Sequence, residues 1–321
     1  MNFTTKIPIE KLPNQITYES NVLSIGSCFS EHISAKLERY KFKQYNNPFG
    51  IIFQPDAIES IITRAIELRL FTQADLFFDN ELWHCFEVHS ELNNPDAEDM
   101  LLNLNGILTY LNGELQTCSH LMITLGTAWT YRHLETDCRV ANCHKVPQIE
   151  FQKELISCEE ITHTLSTIYS KLKAFNPDAN FLFTVSPVRH LKDGFVENQW
   201  SKANLISGLH TFRSHLSAIE LKKVHYFPSY EIMMDDLRDY RFYTSDFLHP
   251  NELAIQYIWE LFKETYISYH AFPIMNELES IQKGLAHRPF NPNTTQHQLF
   301  VQKLHERIEQ LQDKYPHLGL F

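Results

Sequence analysis

Near the amino terminus an apolar run, Val22-Leu-Ser-Ile25, stops at Gly26 and is followed by Ser27 and Cys28. A strand that ends at glycine and delivers a hydroxyl and a thiol to the start of a helix is where α/β enzymes present a nucleophile. Far along the chain, Asp246 and His249 stand three residues apart in Ser245-Asp-Phe-Leu-His-Pro250, just before another helical pattern. A thiol or hydroxyl becomes nucleophilic when a base takes its proton, and an imidazole serves best when an acceptor holds its second nitrogen. Cys28 or Ser27, His249 and Asp246 therefore make a candidate nucleophile, base and orienting acid. The same residues also suit plain structural duties, with Asp246 capping a turn and His249 preceding a proline.

Such chemistry needs a scaffold that gathers distant loops. Apolar runs alternating with helical patterns mark a parallel sheet, with core strands at Val22–Ile25, Leu121–Leu125, Phe181–Val185 and Val224–Phe227, and a fifth at Phe42–Tyr45 or Ile51–Phe53. Helical segments lie between them at Glu31–Tyr40, Asp56–Leu70, Glu98–Leu111, Lys153–Phe175 and Trp200–Ile219. In the first of these Ile33, Leu37 and Tyr40 form one stripe, which packs the helix on the sheet and leaves Cys28 at its start. After His249, Pro250 suits a first helical turn, with Leu253, Tyr257, Ile258, Leu261 and Phe262 as the buried face. Strand-end loops on one edge of a parallel sheet converge on a common crevice, so Cys28 and His249 can meet despite their separation.

Two stretches interrupt the alternation and predict β-hairpin insertions: Asp75–Val88, turning at Asp79-Asn80, and Trp129–Val146, turning at Glu135–Asp137. Their aromatic and histidine content fits either the wall of a substrate pocket or a small local core. Beyond Ile274 the pattern becomes helical, ending in Leu299–Tyr315 with Leu299, Leu304, Ile308 and Leu311 in line. We divide the chain into a domain over residues 1–272 and a helical extension over 273–321, which could dock on the domain or pair two copies as a homodimer.

Composition removes several function classes. With 28 Lys+Arg against 39 Asp+Glu the net charge is −11, which repels a phosphate backbone, so no nucleic-acid partner is expected. No apolar run approaches the ~20 residues needed to span a bilayer, and the first ten residues lack a signal-peptide core, so a cytoplasmic protein is expected. Six cysteines in 321 residues are too sparse for a disulfide scaffold and fit reduced thiols. Nine glycines without a glycine-rich phosphate loop exclude a dinucleotide fingerprint. Cys138-x4-Cys143-His144 lacks the duplicated short cysteine pairs of a zinc site. No metal and no organic cofactor are expected.

Six ordered segments carry a resemblance: Gly26-Ser27-Cys28-Phe29, Asn47-Pro48-Phe49-Gly50, Leu125-Gly126-Thr127, Asn142-Cys143-His144-Lys145-Val146-Pro147, Thr184-Val185-Ser186-Pro187-Val188 and Ser245-Asp246-Phe247-Leu248-His249-Pro250. Together they resemble the GSCFA-domain proteins over roughly residues 3 to 265, a family that looks like a branch of the SGNH (GDSL-type) hydrolases. The resemblance implies a three-layer α/β/α sandwich and hydrolysis or transfer of an acyl ester, possible acetyl esters included, of a small molecule or glycan.

Laid on this sequence, the family's Gly-Asp-Ser-Leu frame falls on Gly26-Ser27-Cys28-Phe29, which gives Cys28 the nucleophile's place and leaves Ser27 as its competitor. The Asp-x-x-His frame falls on Asp246 and His249. Gly50 matches the oxyanion-hole glycine, so the backbone N–H groups of Cys28 and Gly50 are expected to hold the oxyanion. The Gly-x-Asn block falls on Gly126-Thr127-Ala128 and lacks its asparagine, for which Asn47, Thr127 and Asn142 are candidate replacements. His144 could contact substrate from its hairpin, and Arg189 and His190 could do so from beyond the third core strand. The altered nucleophile and missing asparagine also allow a catalytically reduced module that binds a carbohydrate or acylated ligand without turnover.

Overall fold

The computed structural model describes residues 5–291, 293–316 and 318. The chain opens with β1 (Asn21–Gly26), α1 (Cys28–Arg39), β2 (Lys43–Asn46) and α2 (Pro55–Ile66). A hairpin of β3 (Phe77–Asp79) and β4 (Leu82–His84) leads to α3 (Ala97–Thr117) and β5 (His120–Leu125). Next come β6 (Trp129–His133), β7 (Cys138–Val140) and β8 (Phe151–Leu155), then α4 (Cys158–Phe175), β9 (Asn180–Val185), α5 (Phe195–Ser214) and β10 (Val224–Phe227). The short α6 (Ser229–Glu231), α7 (Glu252–Tyr266), α8 (Phe272–Ala286) and α9 (Thr295–Lys314) complete it.

Five strands form a parallel sheet in the order β10-β9-β5-β1-β2. β1, β5 and β9 are apolar runs because both of their faces are covered, as parallel strands require. One face carries Leu23, Ile25, Leu121, Ile123, Phe181 and Phe183 into a core with α2, α3, α4 and α5. The opposite face carries Val22, Met122, Leu182 and Phe227 into a second core with α1, α7 and α8. The result is a three-layer α/β/α sandwich. The chain steps from β1 outward to β2 and then back across to β5, which makes the carboxyl ends of β1 and β5 the topological switch point where open α/β sheets bind their ligands.

The fifth strand is Lys43–Asn46, and residues 51–53 are irregular. Residues 151–155 are strand β8 rather than the start of a helix: β8 pairs with β6, and α4 begins only after Ser157, which forms a capping box with Glu160. α7 starts at Glu252 with Asn251 as its cap, while Pro250 bridges to Tyr243 outside the helix. Its buried stripe is accordingly Ala254, Ile255, Ile258, Trp259 and Phe262, and Leu253 is 60% exposed. Asn80 and Glu81, both at positive φ, make the turn of the β3–β4 hairpin. The second insertion is a three-stranded antiparallel sheet, β7-β6-β8.

The terminal helices dock. Ile274, Met275, Leu278 and Ile281 of α8 and Leu311 of α9 join the core beneath α1 and α7. A side chain at Gly284 would come within 2.7 Å of Leu304, so the two helices touch there, whereas Leu299 is exposed. Among the described residues, no helix is long and apolar enough to cross a membrane.

The seam between α1 and α7 fixes where the ends of the two helices lie. His32 interacts electrostatically with Glu252, Lys36 Nζ donates to Gln256 Oε1 at 2.8 Å, and the Tyr40 ring stacks on Trp259 with centroids 5.9 Å apart. Each step of about four residues along α1 is matched by one along α7, so the helices run side by side in the same direction. The first turn of α7 lies level with His32, one turn into α1. Trp259 is fully buried in this seam, and its truncation to alanine would cost ~3–5 kcal/mol.

Candidate active site

Gly26 ends β1 at φ 150°, and a Cβ there would lie 2.3 Å from the Thr124 carbonyl oxygen, so only glycine lets β1 pass β5 at this point. Ser27 caps α1: its Oγ accepts the Phe29 N–H at 3.3 Å, and the residue is 2% exposed. That hydroxyl is engaged and enclosed. Cys28 is the first residue of the helix and is only partly buried, which makes it the more exposed residue of the two. Burial and the Glu31 charge push the Cys28 thiol up, while the N–H groups of Phe29 and Cys28 and the Lys202 cation pull the other way. The sulfur rests as a thiol and needs a base.

The Asp246–His249 loop is held by Asp246 itself. Asp246 Oδ1 accepts from the Thr244 hydroxyl at 2.6 Å, the Leu248 N–H at 2.8 Å and the His249 N–H at 3.0 Å. Its other oxygen, Oδ2, accepts from His249 Nδ1 at 2.6 Å. These bonds, the Thr244 hydroxyl first, hold the Asp246 carboxyl well below the usual carboxylate range. With Nδ1–H committed to the carboxylate, the free ring nitrogen of His249 is Nε2, the arrangement a general base requires. The loop is also tied to the sheet, since Arg189, just past β9, donates its N–H to the Leu248 carbonyl at 3.3 Å and lays its guanidinium over the Tyr243 ring. Among the described residues, Arg189 has no acidic partner.

The parallel register of α1 and α7 brings the start of α1 and the loop ahead of α7 to the same end of the two helices. Counting back four residues from the His32–Glu252 pair reaches Cys28 on one helix and the 248–249 loop ahead of the other. His249 interacts electrostatically with His32 on α1 and with His190 beyond β9. Among the described residues, no hydrogen bond joins His249 to Cys28 or Ser27.

The other candidate positions divide sharply. Asn47 is 8% exposed; its Oδ1 accepts the Gly26 N–H at 2.8 Å, and its Nδ2 is buried without a partner. A buried amide donor left unmatched beside the nucleophile turn is what a developing oxyanion would use. Gly50 is less suitable than its motif suggests. Its N–H donates to the Asn47 carbonyl at 2.8 Å, and its positive φ of 74° closes that turn against His89, where no side chain fits. The donor expected for the oxyanion is thereby used within the turn.

Gly126 follows β5 at the switch point, pressed on Phe53, with its N–H donating to the Phe53 carbonyl at 2.9 Å. The Thr127 hydroxyl pairs with Ser201 at 2.8 Å and accepts the Trp129 N–H, so it shapes the loop rather than facing it. Ala128, at the position of the missing asparagine, is fully buried and donates its N–H to Ser201.

Asn142 and His144 belong to the insertion. Asn142 Oδ1 accepts the His144 N–H at 2.8 Å in a local turn. His144 is 4% exposed; its Nε2 bonds the Cys85 carbonyl at 2.7 Å and its Nδ1 faces His84 Nδ1 at 3.4 Å. Burial pulls the His144 imidazole down to about 4.

Two further residues emerge only from the fold. Lys202 on α5 is 0% exposed, and its Nζ donates to the Gly126 carbonyl at 2.7 Å and the Ser186 carbonyl at 2.8 Å. It follows Asn198 and Ser201 on the face of α5 that continues as Leu205 and Leu209. A lysine on a core stripe is the signal that could have revealed it. His190 donates its backbone N–H to Asn198, faces Phe53 with ring centroids 5.4 Å apart, and has its Nε2 buried without a partner. Burial, then the Lys202 and His249 charges, pull the His190 imidazole down to about 3.

No curated protein matches this sequence. A family model described as the GSCFA family matches residues 21–262, and one described as the C-terminal domain of GSCFA domain proteins matches residues 278–320. The first match runs from the start of β1 into α7 and takes in Cys28, Asn47, Asp246 and His249, so this protein belongs to the GSCFA family.

Proposed function

We propose that the protein hydrolyses or transfers the acyl group of a small-molecule or glycan ester, in the manner of an SGNH-type enzyme with a cysteine nucleophile. The observation that supports this most is the parallel seam of α1 and α7, since Cys28 opens the one helix and the Asp246-held imidazole precedes the other. His249 Nε2 takes the thiol proton as Cys28 Sγ bonds to the acyl carbon. The carbon–oxygen bond then breaks, and the departing alcohol receives that proton from His249. Water or an acceptor alcohol, deprotonated by His249, releases the acyl group from sulfur in the second half. The Cys28 N–H and Asn47 Nδ2 suit the oxyanion of both tetrahedral intermediates. All six cysteines are unpaired, which fits the reducing cytoplasmic setting such a thiol needs.

Turnover of short-chain aryl and sugar esters by the purified protein tests the proposal, with Cys28→Ala and His249→Ala as controls. Turnover lost in both supports it; no turnover of any ester, or activity indifferent to either substitution, contradicts it. One observation favours a second reading, binding of an acylated ligand without turnover: His249 and Cys28 share no hydrogen bond among the described residues. That reading predicts thermal stabilisation by the ester with no product formed.

A further inference from the structure

Lys202 is a charged group with no water around it, held where three strands end. The sheet register pairs Gly26 with Thr124 and Leu125 with Val185. Gly126 and Ser186 follow the paired ends of β5 and β9, and Ser27, next to Cys28, donates its N–H to the Thr124 carbonyl at 3.1 Å, so the turn that opens α1 stays against the end of β5. Neighbouring strands are ~4.8 Å apart. Lys202 Nζ bonds the carbonyls of Gly126 and Ser186, which fixes it between the β5 and β9 extensions and beside that of β1. An ammonium has three N–H donors, and these carbonyls take two. The third is free of protein acceptors among the described residues.

A buried ammonium is costly unless an opposite charge or a functional need retains it. No carboxylate pairs with Lys202 among the described residues. The groups that do act on it are Cys28 from α1 and, through its own titration, His190 from the loop after β9. Around Cys28 the other charged neighbour is Glu31, and beyond His190 lies His249, which in turn faces His32. Tyr230 lies under the cation with its ring centroid 5.5 Å from Nζ.

We infer that Lys202 is the cation that stabilises negative charge on the Cys28 sulfur when His249 removes its proton. The inference rests on Cys28 being the reacting group of the proposed acyl transfer. Burial pulls the Lys202 ammonium down to about 7, so the pair is sensitive to pH near neutrality.

Iodoacetamide alkylation of the Cys28 peptide, followed by mass spectrometry across pH 6–10, tests this without any substrate. Lys202→Met should slow alkylation by about tenfold at pH 6, where Lys202 is charged, and by less as pH rises past 7. Lys202→Arg should retain most of the wild-type rate. An unchanged Cys28 profile in folded Lys202→Met overturns the inference. Should Lys202→Met fail to fold, the reciprocal measurement applies, because coupling between two groups acts equally on both. In protein labelled with carbon-13 at the lysine ε-carbons, Cys28→Ser should lower the titration midpoint of Lys202, and an unmoved midpoint contradicts the pairing. Ester turnover separates the two ideas: a shifted Cys28 profile without turnover keeps the charge pair and removes the enzyme, whereas turnover with an unshifted profile does the reverse.

Discussion

Two histidine-bearing regions of this molecule look alike in composition and differ in what their polar atoms do. In the insertions, the Nε2–H groups of His84 and His144 donate to the carbonyls of Asp79 and Cys85, so each ring's donor is matched, and the two Nδ1 atoms face each other at 3.4 Å. Phe77 and Phe86 stack against them in a small local core. At the carboxyl edge of the parallel sheet, by contrast, Asn47 Nδ2 and His190 Nε2 are buried and unmatched, and Lys202 is buried without a carboxylate. Donors matched by carbonyls suit a structural cluster, while polar atoms held out of water without partners cost stability and make sense when something else is to be bound there. The insertions thus have the character of a wall, and the sheet edge that of a site.

The largest effect should come where the two regions differ most. We predict that His249→Ala lowers ester turnover by ~10²–10⁴-fold, the range for removing a general base, while His144→Ala leaves turnover near wild type and lowers the melting temperature instead. Steady-state kinetics with thermal melts of both variants checks this, and a reversal of the pattern would move the site into the insertions.

Asn47→Ala should reduce kcat by ~10²–10³-fold, as for loss of one oxyanion donor, with a smaller change in KM. Loss of stability alone, with kcat unchanged in the folded variant, would reduce Asn47 to its structural bond with the Gly26 N–H.

Two pH effects on stability also tell the regions apart. The buried imidazole of His144 titrates at about 4 instead of 6.5, so the unfolded chain binds the extra proton between those values. Stability from this residue is complete above pH 6.5 and is lost as pH falls toward 4, on the order of 3 kcal/mol in full. Urea unfolding of wild type and His144→Gln at pH 7 and 4.5 should show a smaller acid loss in the variant. For Lys202 the window lies higher, between about 7 and the usual 10.5, and the sign is the same because the unfolded chain again holds more protons. Stability should rise with pH across that window in the wild type, and Lys202→Met should flatten the rise.

The sheet was readable because its strands are covered on both faces, which writes continuous apolar runs such as Leu121–Leu125 and Phe181–Val185 into the sequence. The stripe of Ile33, Leu37 and Tyr40 identified α1 for the same reason, since all three are buried. Strand β8 escaped because it abuts the capping box of α4 with no intervening turn residue, so its residues 153–155 read as the helix's first turn. On α7, the buried Trp259 sets a stripe that the isolated pattern of Leu253, Tyr257 and Leu261 concealed.

Within the site, the separate motifs at Cys28 and at Asp246–His249 were legible because their spacing is local. Their relation was not, as it depends on the register of two helices more than 200 residues apart. Lys202 shares a stripe with Leu205 and Leu209, yet its burial was not legible for a related reason. A lysine is normally exposed, and only the docking of α5 on the strand ends removes this one from water. Gly50 shows the opposite limit, for a motif position fixes where a backbone N–H lies in the chain but not which acceptor it meets.

Acetylation of Cys28 by p-nitrophenyl acetate, followed by the mass of its peptide in wild type and His249→Ala at pH 7.5, shows whether thiol and imidazole act together. Cys28 is expected as the acetylated residue, at a rate at least ~100-fold slower without the imidazole. Equal rates in the two proteins, or acetyl groups found on Ser27 or elsewhere with Cys28 untouched, would contradict a joint role for Cys28 and His249.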